Sequence, residues 1–305
     1  MRILIFGPNG QLGNSLKDLQ PKGMRVCYAG RSEVDLSNEK DLKAYLKSSQ
    51  PQIVINASAY TSVDRAESEV ALAHAINSDA PATMAKYVRS ENAKILHVST
   101  DYVFDGYKRT AYLPHDEKNP RSAYGRSKLA GEVALLTLAP KSSMIIRTSW
   151  LFSEYGSNFV KTMLDLMSEE KDISVVYDQT GSPTYARALA EAIWLILTGN
   201  RFKSGTYHWT NSGQTNWFDF ANRIKKEGAR KGLINLRSEI FPVLSQDYKT
   251  EAARPAFSVL NCQSLIDLIG YQPAHWESAL EEMLDRLSSQ RRPGFMSTTA
   301  KGQYF

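Results

Sequence analysis

Cysteine is almost missing from this chain: Cys27 and Cys262 are its only two, far apart and in no Cys-x-x-Cys pattern. That scarcity argues against a disulfide framework and a thiolate zinc site, and it suits a reducing, cytoplasmic setting. Long hydrophobic runs are also lacking. The apolar start Ile3-Leu4-Ile5-Phe6 stops at Gly7, too short for a signal-peptide core or a membrane span, so it is read as a buried strand with no membrane partner expected. Charge of one sign is not concentrated: 37 basic against 32 acidic residues leave a net +5, part of it in Arg291, Arg292 and Lys301. No basic stripe suggests nucleic acid, although a mildly positive field suits anionic small ligands. The five histidines, His74, His97, His115, His208 and His275, show no ligand spacing, so they are read as structural and no metal is expected.

What the chain does have is a rhythm. Short apolar segments at Ile3–Phe6, Arg25–Ala29, Ile53–Asn56, Ile95–Val98 and Met144–Thr148 alternate with stretches of helical spacing at Leu12–Leu19, Glu39–Ser48, Val70–Asn77, Ala80–Ser90 and Ser127–Leu138. The strands are nearly continuous in Ile, Val, Leu and Ala, as expected for a parallel sheet covered on both faces. After Trp150 the pattern loosens. Helices are expected at Asn158–Ser168, Ala186–Thr198, Trp217–Lys226 and Trp276–Leu287, and strands at Ile173–Val176, Thr206–Trp209 and Ser258–Leu260. With 42% hydrophobic residues in 305, one large domain or two modest ones are expected. The predicted fold is α/β, a Rossmann-like doubly wound parallel sheet with a smaller mixed α/β substrate-binding region in the C-terminal half. Residues 1–150, with a returning segment at 186–200, would bind a dinucleotide; 151–185 and 201–288 would hold substrate; 289–305 is expected as a disordered tail.

The cofactor end follows the first strand. Gly7-Pro8-Asn9-Gly10-Gln11-Leu12-Gly13 opens the first helix with glycines three apart, which lets a backbone approach a pyrophosphate held by the helix N-terminus. Taken alone, an ordinary strand-to-helix turn is its plain alternative. After the second strand, Arg31 and Ser32 are placed to meet a ribose 2′-phosphate, which favours NADPH with NADH as the alternative cofactor; a solvated loop arginine is the plain alternative. Asp35 and Leu36 would border the adenine, and Ala57, Ala59 and Tyr60 would admit the middle of the cofactor.

The catalytic end emerges where the fourth strand stops, at Ser99-Thr100-Asp101-Tyr102. Tyr124 and Lys128 lie four apart, on one face of a helix. Chance alone supplies about one such pair in a chain like this, and a surface helix pair is its other explanation. The chemistry suits ketone reduction: an alkoxide formed by hydride transfer needs a proton, and a phenol near pKa ~10 donates it better beside a cation. Lys128 would lower Tyr124 and hold the nicotinamide ribose, while the Thr100 hydroxyl would orient the carbonyl. Thr100 is otherwise a strand-end residue bonded to its own turn. Arg254 offers a guanidinium fork to phosphate oxygens, with a surface ion pair before Pro255 as the plain alternative.

These residues resemble the extended short-chain dehydrogenase/reductase superfamily, and within it the dTDP-4-dehydrorhamnose reductases. The resemblance runs over about residues 1 to 287 through the glycine loop, Val63-Asp64-x-Ala66-Glu67, Ser99-Thr100-Asp101-Tyr102-Val103-Phe104, Tyr124-Gly125-x-x-Lys128-Leu129-Ala130-Gly131-Glu132, Arg147-Thr148-Ser149-Trp150, Asn158-Phe159, Gly181-x-Pro183-Thr184 and Arg254-Pro255. It implies reduction of dTDP-4-dehydro-6-deoxy-L-mannose to dTDP-L-rhamnose. It also implies Thr100, Asp101 and Tyr124 around the sugar, Trp150 against the substrate and Arg254 near the nucleotide diphosphate. A homodimer is compatible with it. Some relatives dimerise through a metal held by glutamates, one of them shortly after the Gly-x-Pro-Thr segment. This chain has Tyr185-Ala186-Arg187 there, so a metal-bridged dimer is not expected. A reductase of another nucleotide-linked keto-deoxysugar and a non-catalytic NADP-binding regulatory subunit are the rival expectations.

Overall fold

Continuous apolar strands must be covered on both faces, and the chain alternates strands and helices accordingly. The computed structural model describes residues 1–291. In chain order come β1 (Arg2–Phe6), α1 (Gln11–Asp18), β2 (Arg25–Ala29), α2 (Glu39–Ser49), β3 (Ile53–Asn56), the one-turn α3 (Arg65–Ser68), α4 (Val70–His74), α5 (Ala80–Ser90), β4 (Lys94–Thr100), α6 (Ala123–Leu138) and β5 (Ser143–Thr148). Then follow β6 (Leu151–Phe152), α7 (Phe159–Ser168), β7 (Ile173–Val176), β8 (Thr180–Gly181), β9 (Thr184–Tyr185), α8 (Ala186–Thr198), β10 (Gly205–His208), β11 (Thr215–Asn216), α9 (Trp217–Arg230), β12 (Ile240–Val243), α10 (Gln263–Ile269) and α11 (Trp276–Arg291).

The main sheet has six parallel strands in the order β10-β5-β4-β3-β1-β2. This is the Rossmann-like α/β fold expected. One face packs on α1, α8 and α10 through Leu12, Leu16, Leu189, Ile193 and Leu265, and the other on α2, α5 and α6 through Leu42, Leu46, Met84, Val88 and Leu135. A third apolar cluster joins α7, α9 and α11 with β7 and β12. Because β2 and β3 lie on opposite sides of β1, the chain reverses direction across the sheet there, opening a crevice at the carboxyl ends of the strands.

Several local expectations change. The strand expected at 206–209 joins the edge of the main sheet, Thr206 opposite Ile145, instead of capping it. Ser258–Leu260 forms no strand: Leu260 bridges singly to Tyr112 and the adjacent Phe257 singly to Thr180 of β8, so the contacts go to two separate segments and no ladder can propagate. The helix expected over Val70–Asn77 instead turns into a wider π-helical segment, Ala75–Asp79, before α5. Pro81 has no N–H to give the Asn77 carbonyl, and that oxygen presses on Gly131 of α6, where a Cβ would lie 2.1 Å from it. Helix α6 starts at Ala123, before the expected Ser127, because the Ser122 hydroxyl accepts the Gly125 N–H at 3.1 Å as an N-cap. Residues 289–291, expected in the tail, end α11; the remainder of that tail lies outside the described residues.

Candidate active site

The turn after β1 is shaped by backbone approach. Gly7 has φ +80°, and a Cβ there would lie 2.8 Å from the Ala57 carbonyl oxygen. At Gly13 a Cβ would come within 2.1 Å of the Gly7 oxygen. Gly10 caps α1 in an extended conformation; no side chain caps the helix and its first turn carries no acid. First-turn amides that no side chain caps, with no competing carboxylate beside them, fit an anionic pyrophosphate. Leu12 is buried in the core, so only its backbone can serve this cradle. Gln11 ties the turn to the segments after Trp150 that cover this end of the sheet, the cap, its side-chain oxygen accepting from Ser153 Oγ and Asn158 Nδ2, each at 3.0 Å.

Beyond β2, Arg31 is exposed, whereas Ser32 donates to Glu33 at 2.7 Å and Gly30 N to the same carboxylate at 2.6 Å. Asp35 accepts from the Ser37 amide and hydroxyl, and Leu36 packs on the core. Ala57 and Ala59 are half-buried beside the cradle, and Tyr60 hydrogen-bonds through its amide to Asn77 Oδ1 at 2.8 Å.

Thr100 ends β4 and Tyr124 sits in the first turn of α6, which brings both to the same end of the sheet. Thr100 Oγ1 donates to Asp101 Oδ1 at 3.0 Å and accepts the Tyr102 amide at 3.2 Å. Asp101 is buried, and desolvation pushes its carboxyl up to about 6 against hydrogen bonds from Ser258 and Thr100. The Tyr124 phenol is pushed up to about 12 by burial, with hydrogen bonding to Thr100 pulling it down and the Asp101 charge adding to the rise. The lowering of Tyr124 by Lys128 expected from the spacing is therefore not found. Lys128 points at β4, its Nζ donating to the Val98 carbonyl at 2.8 Å with His97 Nε2 at 3.3 Å, and burial lowers it to about 8.

On the cap side, Trp150 adopts φ +48°, a left-handed conformation costly for a bulky residue. Its ring stacks on Trp217 at 3.5 Å and on Gly181, where a Cβ would lie 2.5 Å from the indole. The Trp150 carbonyl accepts the Thr184 amide at 3.1 Å, and Ser149 donates to the Ser182 carbonyl at 2.8 Å. Two distant sequence blocks thus meet around one aromatic shelf. Arg254 is partly buried and forks onto Asp64, Nη2 to Oδ2 at 2.7 Å and Nη1 to Oδ1 at 3.1 Å.

Sequence reasoning missed two buried groups behind these side chains. His97 lies between Asn56, at 3.0 Å, and Lys128, and stays neutral because burial and the Lys128 charge hold it well below the usual range. Asn77 clamps Tyr60 with its oxygen and donates to Ser127 Oγ of α6 at 3.0 Å. A lone histidine in an apolar strand carries no sequence signal of such a role. For Asn77, Pro81 four residues later was the available hint of a disrupted turn.

Residues 1–289 match the family model described as the RmlD substrate binding domain. The chain belongs to that family. A dTDP-4-dehydrorhamnose reductase of Aggregatibacter actinomycetemcomitans is 42% identical over 92% of this chain and 98% of its own. Among solved structures, a dTDP-4-dehydrorhamnose reductase of Bacillus anthracis in complex with NADP is 36% identical, with TM-score 0.86 over 93% of this chain and 99% of that one. A Clostridium acetobutylicum dTDP-4-dehydrorhamnose reductase aligns with TM-score 0.86 and 35% identity over 94% of this chain and 99% of that one. Family members thus share nearly the whole length of this chain, cap included.

Proposed function

We propose that this protein is an NADPH-dependent oxidoreductase that reduces the 4-keto group of dTDP-4-dehydro-6-deoxy-L-mannose, yielding dTDP-L-rhamnose. The observation that carries it is the convergence of Thr100 and Tyr124 on one buried corner of the sheet, in a chain 42% identical to a reductase with that printed activity. The sheet with its flanking helices would hold the cofactor, and the segments after Trp150 that cap it would hold the nucleotide sugar. The Gly7-to-Gly13 turn and the open start of α1 would take the pyrophosphate, Arg31 a 2′-phosphate, and Lys128 the nicotinamide ribose.

When bound, the reduced nicotinamide supplies a hydride to the sugar carbonyl carbon. The carbonyl oxygen then needs a proton, and Tyr124 is the donor in this proposal. Its phenol, pushed up to about 12, remains protonated across the neutral range and is still far more acidic than the sugar alcohol it would form. Thr100, whose one hydroxyl hydrogen is held by Asp101 at 3.0 Å, would turn that hydrogen to the same oxygen and fix its orientation, a contact that strengthens as charge develops. Trp150 would bound the sugar on the cap side. The test is oxidation of NADPH, followed by its absorbance, with enzymatically prepared dTDP-4-dehydro-L-rhamnose, beside NADH and a control lacking sugar. Turnover that favours NADPH is expected. Tight NADPH binding without sugar-dependent oxidation would overturn the proposal in favour of another keto-sugar or a regulatory role.

A further inference from the structure

The segment Val63-Asp64-x-Ala66-Glu67 carries two carboxylates that the reaction does not use, yet each reaches a different part of the site. We propose that Asp64 and Glu67 are positioning residues, and that their shared turn clips the Arg254 guanidinium and the start of α6 into one register. The proposal rests on reading Arg254 as a ligand of the substrate diphosphate.

At one end, Asp64 Oδ1 accepts from Arg254 Nη1 at 3.1 Å and from the Ala252 amide at 3.0 Å, and Oδ2 accepts from Nη2 at 2.7 Å. Arg254 Nη1 also donates to the Ala252 carbonyl at 3.3 Å. A guanidinium has five N–H bonds in a fixed plane. Asp64 takes the end-on pair and Ala252 takes the inner Nη1 hydrogen. Among the described residues, the Nε hydrogen and the second Nη2 hydrogen, which share one edge and point in parallel, are left over by these bonds. That is the two-pronged edge that matches a pair of phosphate oxygens. Asp64 therefore selects the edge of Arg254 that is presented, and holds a long side chain that would otherwise lose its rotamer freedom on binding. Part of the Arg254 side chain stays open to solvent.

At the other end, Glu67 Oε1 accepts the Ala123 amide at 2.7 Å, with Oε2 3.6 Å from Arg126. Ala123 is the first residue of α6 and precedes Tyr124, so Glu67 pairs a first-turn amide next to the proton donor. Between the two acids, Ala66 is fully buried in a cluster with Tyr60, Ala123 and Tyr124. The turn itself is closed by the Ala66 amide donating to the Ser62 carbonyl at 2.9 Å. A rigid, one-turn element thus sets the spacing between a phosphate anchor and a phenol.

The test uses full-length Asp64→Ala, Glu67→Ala, Glu67→Gln and Arg254→Ala, with dTDP affinity by calorimetry, kcat and KM for the nucleotide sugar, and melting temperature. Asp64→Ala should weaken dTDP binding and raise KM at least about ten-fold while kcat falls less than about three-fold. Glu67→Ala should lower kcat about ten-fold or more with dTDP affinity changed less than about three-fold. Glu67→Gln, whose amide oxygen still accepts from Ala123, should recover to within about three-fold of the unaltered protein. If Asp64→Ala does not fold, Asp64→Asn carries the same expectation, since its NH2 faces the guanidinium in place of one oxygen. The proposal falls if Asp64 variants bind dTDP as tightly as the unaltered protein, or if both sets lose kcat and affinity together in proportion to melting temperature. Arg254→Ala separates the two layers. Normal dTDP binding by that variant overturns the diphosphate reading, whereas weak binding by Arg254→Ala beside normal binding by Asp64→Ala overturns the clip alone.

Discussion

Replacing Lys128 by methionine should remove activity and change how stability depends on pH. Lys128 is 1% exposed, and burial brings its folded-state pKa from 10.5 to about 8. At about 1.4 kcal/mol per unit, keeping the ammonium buried costs the native state about 3 kcal/mol below that value. Methionine removes this cost but strands the Val98 carbonyl, which Lys128 now satisfies at 2.8 Å, a loss of about 1–3 kcal/mol. Near neutral pH the two effects roughly offset. The pH dependence does not cancel. Between about 8 and 10.5 the unfolded chain holds the Lys128 proton more tightly than the native protein, so the unaltered protein gains stability as pH rises. Lys128→Met lacks that gain. Urea unfolding of both proteins at about pH 8 and about pH 9.5 should therefore show the unaltered protein improving on the variant by roughly 2 kcal/mol, while NADPH-dependent turnover of the variant is down about 100-fold or more. Parallel stability curves through that window would refute the burial argument, and retained turnover would refute the role of the amine.

Tyr124→Phe should lower kcat by about 10²–10⁴ with NADPH affinity unchanged by fluorescence titration, since the hydroxyl acts in the transition state. Glu132→Gln should cost about 3–5 kcal/mol in denaturant unfolding, because it breaks the buried fork in which Arg147 donates to Glu132 at 2.6 and 2.8 Å. Gly125→Ala places a Cβ 2.2 Å from the Tyr102 carbonyl oxygen, so α6 must shift next to Tyr124; kcat should drop about ten-fold or more, beyond what any change in melting temperature explains. Arg31→Ala should cut the ratio of kcat/KM for NADPH over NADH about ten-fold, and an unchanged ratio would remove Arg31 from 2′-phosphate recognition.

Much of the fold was open to direct inspection because it is written in local patterns. Short runs such as Ile53-Val54-Ile55 and Ile95-Leu96, rich in β-branched residues, read as buried strands, and their alternation with amphipathic stretches implies parallel crossovers. Glycines at 7, 10 and 13 directly after a strand announce a close backbone approach, and the Tyr124 to Lys128 spacing holds on any helix. The weaker expectations were those that depend on partners far away in sequence. Whether Thr206–His208 caps the sheet or extends it depends on the free edge of β5, which no local pattern reveals. The aim of Lys128 depends on Val98 and His97, thirty and thirty-one residues back, and the depth of Tyr124 on everything that covers it. The edge that Arg254 presents is set by Asp64, 190 residues earlier. Local sequence determined which segments are strands and helices and which chemical groups the chain carries, because steric periodicity and side-chain chemistry act over a few residues. Only the tertiary structure decided where those groups point and how strongly they hold their protons, because desolvation and hydrogen bonding are set by neighbours that folding brings together.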